Sequence, residues 1–192
     1  MHRGKATLVS RNAWAKLDEK LTKALPLSDH GTDVAAVTEA LFDVGWFHRL
    51  ERSAGRPLTD ADRDLLLALA FLHDLGKTND GFWLRQCRRA RTKGHTSIVL
   101  ALCRMSNWQN RLPLLHALLI RCQKDLFRAV LSHHGRPVQS RPEHGIPETN
   151  TFWKSSNRFG YDPIAQLSEL LEIAAHRFPA AFDMTERHEP LP

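Results

Sequence analysis

The sequence predicts an all-α domain, a helical bundle with a metal site where helix ends converge. Three observations predict it. Apolar residues recur at helical spacing along most of the chain, and no segment of useful length shows the two-residue period of a strand. The stretch Leu65 to Leu72 (LLLALAFL) is apolar on every side, as a central buried helix would be. Finally, the chain holds 11 histidines in 192 residues, and five of them fall at the ends of predicted elements.

Taken in order, residues 11–25 place Trp14, Leu17, Leu21 and Leu25 on one helical face, with Pro26 as a stop. A second helix is expected from about Asp29 to Phe47, with Val34, Val37, Leu41 and Val44 on one face. Gly55-Arg56-Pro57 breaks the chain. Thr59-Asp60-Ala61-Asp62 then caps the central helix, and Gly76 is placed as its C-terminal cap. After Gly94 a helix over 95–105 carries Ile98, Leu102 and Met105. Residues 112–132 form two helices or one bent one, closed by His133-His134-Gly135-Arg136-Pro137. Residues 135–163 are rich in Pro, Gly, Ser and Asn and read as one long basic loop, before a last helix over 163–178.

The length fits one domain over residues 1–192. No apolar run of about 18 residues suggests a membrane span, and the opening MHRGKATLVSRNAW lacks a signal peptide's apolar stretch, so the expected location is the cytoplasm. Cys87, Cys103 and Cys122 suit neither a disulfide framework nor a CxxC knuckle. The net charge of +6 favours a polyanionic partner. The chain contains no GxxxxGK[ST] loop and no GxSxG elbow, which argues against ATP hydrolysis by this chain and against a serine hydrolase.

The chemistry concentrates in His73-Asp74-Leu75-Gly76-Lys77. Adjacent imidazole and carboxylate at a buried helix end can serve one metal, and the second carboxylate oxygen is free to bridge to another. Lys77, one turn on, is placed to meet a phosphate as a point charge. His30 lies at a helix start, His95 opens another helix, and His133-His134 closes a third. An isolated His-Asp pair carries little weight in a chain so rich in histidine; the weight lies on the combination. A mixed imidazole and carboxylate set suits Mn, Fe, Co, Ni or Zn, with Mg permitted. Six ligands (His30, His73, Asp74, His95, His133 and His134) exceed one tetrahedral ion and favour two metals bridged by Asp74. Two such ions clamp a phosphoryl centre and acidify a water, so hydrolysis of a phosphate ester is expected. His48, His116 and His176 read as packed structural histidines, and His2, His144 and His188 as exposed ones.

These motifs resemble the HD superfamily of metal-dependent phosphohydrolases, and more closely the HD nuclease domain of the type I CRISPR-associated helicase-nuclease. Trp14-Ala15-Lys16 is similar to that family's opening motif. Leu27-Ser28-Asp29-His30 with Asp33-Val34-Ala35 resembles its first histidine and the run after it. HDLGK with Phe82, Gly94-His95, and His133-His134-Gly135 with Pro137 complete the series. The resemblance implies His30, His73 and Asp74 at one metal, with Asp74 shared, and His95, His133 and His134 at the other, with Lys77 facing the scissile phosphate. It also implies metal-dependent cleavage of single-stranded DNA, endonucleolytic or exonucleolytic. An ATP-driven helicase would feed the strand after an RNA-guided surveillance complex opens the target. The family's last metal-binding Asp, in an Ala-Asp pair followed by Ser, has no visible counterpart; Asp162 and Asp183 are the only late candidates, and the chain is expected to stop short of that helix.

The basic residues fit a nucleic-acid surface. Trp83, after Phe82, is followed by Arg85, Arg88, Arg89, Arg91 and Lys93, while Arg136, Arg141, Lys154 and Arg158 accompany Phe152, Trp153 and Phe159. Aromatic faces among cations suit a single-strand channel. Two other readings compete: a nucleotide phosphohydrolase or cyclic-nucleotide phosphodiesterase of the wider superfamily, and a non-catalytic fragment or docking module.

Overall fold

The structure, a computed structural model, describes residues 8–87, 93–138, 151–155 and 159–185. Its first element is not the helix expected over 11–25. Trp14–Leu17 (β1) and Ala24–Pro26 (β2) instead pair as a two-stranded antiparallel ribbon. Turn chemistry overrides the helical spacing. Asp18 Oδ1 accepts the backbone N–H groups of Thr22 and Lys23 at 2.6 and 2.8 Å, Oδ2 accepts the Thr22 hydroxyl at 2.6 Å, and Leu21 takes a left-handed φ of 55°.

Leu27–Leu41 (α1) follows β2 directly and runs into a wider π-type turn, Phe42–Trp46. Gly45, at φ 95°, breaks the expected continuous helix there, and Phe47–Ala54 (α2) ends at Gly55. The apolar stripe of Val37, Leu41 and Val44 stays outside the core. Val37 is 62% and Val44 75% exposed, whereas Leu27, Gly31 and Ala35 are buried. The reason is close helix packing. A Cβ on Gly31 would strike the Phe71 carbonyl and ring, so α1 approaches its neighbour over its small residues rather than over its bulkier stripe.

That neighbour, Asp60–Phe71 (α3), is the central helix the sequence predicts, with Leu65, Leu67, Ala68, Leu69 and Phe71 buried. Its N-terminus carries the reciprocal box expected of Thr59 and Asp62, at 3.1 and 2.9 Å. Arg56 adds a two-pronged ion pair to Asp62 at 2.7 and 3.1 Å. Burial pushes the Asp62 carboxyl up, but the Arg56 and Thr59 hydrogen bonds outweigh it and hold the group below its ordinary value. Asp62→Ala is therefore expected to lower stability by about 2 kcal/mol in urea denaturation, by removing the cap and the ion pair with Arg56. The charge contribution of Asp62 is fully present above the unfolded carboxylate value of 3.8 and is lost as pH falls through the depressed folded value. The gap between wild type and Asp62→Asn should accordingly close in acid.

Beyond α3 come a tight turn, Leu75–Thr78, then Asp80–Trp83 (α4), a further turn at Leu84–Gln86 and Ser97–Leu102 (α5). Trp108–Arg111 (α6), Pro113–Arg121 (α7) and Lys124–Leu131 (α8) follow, so the 112–132 stretch is two helices. Pro163–Arg177 (α9) is the last α-helix of the described residues, packed on α3 and on the 75–78 turn, and a short turn at Pro179–Ala181 follows it. Gly76 is not the helix cap expected of it; α3 ends at Phe71, and Gly76 lies inside the next turn without a positive φ.

One large core is built around α3, and a smaller cluster holds Trp14, Phe82, Trp83 and Tyr161 between the ribbon and α4. The 135–163 segment is not wholly loop. Thr151–Trp153 forms a turn whose Phe152 and Trp153 are buried, with Trp153 Nε1 donating to the Ile98 carbonyl at 3.1 Å. His116 is half-buried with its edge against Trp108, as expected of a packed histidine. His48 and His176 are exposed instead, since they sit on outward helix faces, and His48 pairs with Glu51 at 2.8 Å. His2, His144 and His188 lie outside the described residues. Among the described residues no helix is long and apolar enough to cross a membrane.

Candidate metal centre

Four chain segments meet at Asp74. His30 arrives on the first turns of α1, His73 and Asp74 just past the end of α3, His95 just before α5, and His133 with His134 just past α8. Asp74 is 3% exposed and forms the floor, and the histidine side chains around it are only partly covered.

The two carboxylate oxygens face different partners. Oδ2 lies 3.4 Å from His30 Nε2, 3.2 Å from His73 Nε2 and 2.6 Å from Lys77 Nζ. Oδ1 lies 3.0 Å from His95 Nε2 and 3.3 Å from His133 Nε2. His134 Nε2 stands 2.9 Å from His95 Nε2. The ligand atoms of each set, His30/His73/Asp74 and Asp74/His95/His133/His134, fall within 4.8 Å of one another.

The same local device aims two of the rings. At the end of α3, His73 Nδ1 sits 2.9 Å from the Ala70 carbonyl; at the end of α8, His133 Nδ1 sits 2.8 Å from the Val130 carbonyl. A carbonyl only accepts, so Nδ1 carries the proton, and in the neutral ring Nε2 presents its lone pair to the site. Gly135, at φ 74°, turns the chain away just after this second pair.

Protonation states agree with ligand chemistry. Burial, followed by the neighbouring His73, lowers the His30 pKa; burial is also the main cause that lowers those of His133 and His134. These rings are thus held neutral, the form that binds metal. Burial would raise the Asp74 value, yet the side chains of His73, His95 and Lys77 hold it far below the ordinary carboxylate range. Asp74 Oδ1 is buried with no hydrogen bond, although imidazole nitrogens crowd it. An ionised oxygen ringed this closely by imidazole nitrogens suits a cation seated among them. Lys77 fills that place for Oδ2; among the described residues no lysine or arginine ion pair fills it for Oδ1. The residues present therefore fit divalent metal.

Lys77 is less open than a phosphate contact expected from sequence. It is 8% exposed, pinned between Asp74 and the Ala15 carbonyl of β1 at 3.1 Å. Trp83 is a correction. It is 1% exposed and stacked on Tyr161 at 4.3 Å, with Phe159 against it, so its faces serve the small core and not a base. Phe82, Phe152 and Trp153 are buried likewise. Arg85 is exposed but lies over the Phe82 ring at 4.6 Å and donates to the Lys93 carbonyl, and Arg136 is exposed beside the His133-His134 turn. Arg88, Arg89, Arg91, Arg141 and Arg158 lie outside the described residues. The late acids stay away from the centre: Asp162 caps α9 through the N–H groups of Ile164 and Ala165, and Asp183 binds Thr185.

Sequence reasoning missed the Ala70 and Val130 carbonyls, which bear no side-chain signature, and Asn79, whose N-x-x-F spacing before Phe82 is a helix-cap signal.

An apolar helical bundle that gathers histidines from several helix ends around one buried aspartate defines a metal-dependent phosphohydrolase domain of the HD type. The family described as Cas3, HD domain matches residues 14–191, and the chain belongs to that family. No curated protein and no solved structure matches the chain. Membership makes it an HD-type, metal-dependent hydrolase of CRISPR systems, with nucleic acid as its class of substrate and divalent metal as its cofactor.

Proposed function

We propose that the protein is a nuclease that hydrolyses phosphodiesters of single-stranded DNA during CRISPR interference, in the cytoplasm, on a strand delivered by an ATP-driven helicase and an RNA-guided complex. The observation that carries this reading is the division of Asp74, with His30 and His73 at one oxygen and His95 and His133 at the other. His30, His73 and Asp74 would hold one transition-metal ion, and Asp74, His95, His133 and His134 a second. Such ions supply polarisation of the phosphoryl group and a more acidic water. The chain's own residues provide the rest: an ionised bridge, rings locked in the metal-binding tautomer, and the Lys77 ammonium as the positive charge beside Asp74 that meets the phosphate. With the aromatics buried, backbone tracking falls to cations such as Arg85 and Arg136.

The test is incubation of the protein, loaded with Mn(II) or Ni(II), with circular single-stranded DNA. Nicking is expected, and intact DNA beside hydrolysed nucleotides would favour the small-molecule phosphohydrolase reading. Lys77→Met is expected to slow nicking by roughly 100-fold. Ion binding should be kept or tightened, because a competing cation leaves Asp74. Loss of ions by elemental analysis would move Lys77 from the phosphate to the support of Asp74.

A further inference from the structure

Three successive residues of the His95 segment, Lys93, Gly94 and His95, are tied to residues 76–81, the stretch that follows Asp74. The Lys93 N–H donates to the Gly81 carbonyl at 3.1 Å. The Gly94 carbonyl accepts from Asn79 Nδ2 at 3.1 Å. The His95 carbonyl lies against Gly76 so closely that a Cβ there would collide with it. Asn79 is the node of this arrangement. It is fully buried, its Nδ2 also donates to the Gly76 carbonyl at 2.6 Å, and its Oδ1 accepts the Phe82 N–H at 2.9 Å.

One carboxamide therefore does two separable things. Its oxygen caps α4, a task Asp or Ser performs equally well. Its nitrogen joins two carbonyls, one two residues after Asp74 and one immediately before His95. A buried donor shared by two carbonyls has no water to replace it, so its loss leaves the Gly94 carbonyl without this partner, while the Gly76 carbonyl keeps the Asn79 backbone N–H at 3.2 Å, and the segment is freed to move. His30, His73 and His133 do not depend on it. His30 rides on α1, and His73 and His133 are aimed by their own helices through the Ala70 and Val130 carbonyls.

We propose that Asn79 is the positioning residue of the His95/His133/His134 subsite, setting the distance from His95 to Asp74 by clipping Gly94 to Gly76. This rests on the two-subsite reading given above. Outer partners that orient a ligand typically change metal affinity by about 10- to 100-fold, and the effect here falls on one subsite only.

Asn79→Asp and Asn79→Ser keep the cap on Phe82 and remove both donations; in the aspartate an added negative oxygen also faces the two carbonyls. Each variant is titrated with Mn(II) by calorimetry beside the wild type, and the histidine ring resonances of the metal-free proteins are compared by NMR. Two ions are expected for the wild type. The variants should retain the first and bind the second about 10- to 100-fold more weakly, with the His95 ring resonance displaced and those of His30 and His73 unmoved. A second ion held at wild-type affinity overturns the proposal. So does equal weakening of both ions with all the ring resonances displaced, since Asn79 would then hold the fold and not the subsite. A wild type that binds one ion defeats the two-subsite reading itself; the metal-free resonances still decide whether Asn79 places His95.

Discussion

Asp74→Ala is expected to empty both subsites at once. Each set of imidazoles uses one oxygen of this carboxylate, so calorimetric titration should show both ions weakened by more than about 100-fold, the upper range for loss of a mere supporting partner. Nicking of DNA should vanish with them. The metal-free protein should suffer as well. Lys77 would be left buried with the Ala15 carbonyl and the Phe82 ring beside its ammonium, and removing one member of a buried pair costs about 3–5 kcal/mol. Combining Asp74→Ala with Lys77→Met should restore much of that stability, because the stranded charge goes too. A double-mutant cycle by urea denaturation measures the coupling. Two ions still bound with native affinity in Asp74→Ala would refute the shared-bridge arrangement.

Gly76→Ala should be nearly as damaging, from a single added methyl. The new Cβ would occupy the place of the His95 carbonyl and press on the Val99 side chain of α5. Both neighbours are constrained: the carbonyl is backbone, and Val99 is fully buried. Neither can swing aside as a long side chain would. Overpacking of this kind costs about 1–3 kcal/mol and occasionally more, and a backbone collision lies at the upper end. The expected result is a stability loss near 3 kcal/mol together with a weakened second ion. An alanine variant with wild-type urea midpoint and both ions intact would show that the segment relaxes without consequence.

Much of the site was legible because its residues lie at punctuation points. The apolar run before His73-Asp74 fixes a helix end, and Gly-Arg-Pro after His133-His134 fixes another; the central helix and its Thr59–Asp62 cap follow from the same signals. Burial partners were harder to read. The helical spacing of Trp14, Leu17, Leu21 and Leu25 failed because Asp18 turns the chain, a local contact that periodicity ignores. The Val37 and Val44 stripe failed because close approach at Gly31, a tertiary fact, chose the other face of α1. Trp83 failed similarly. Its proximity to arginines in sequence suggested a binding face, while Tyr161, far along the chain, covers its ring. Residue type and spacing located the ligands, but which surface each aromatic meets depends on contacts distant in sequence.

The ligands come from four segments that are remote from one another in the chain, on α1, after α3, before α5 and after α8. Two ions sharing Asp74 would therefore act as crosslinks as well as cofactors. Together, through Asp74, they would tie the first helix to the last of the central group and close the intervening loops in the folded state alone, so their binding free energy adds to that of folding. An ion present at 100 times its dissociation constant would contribute about 2.7 kcal/mol. Cellular metal supply then sets how much intact domain persists as well as how fast it works, and scarcity would remove both together.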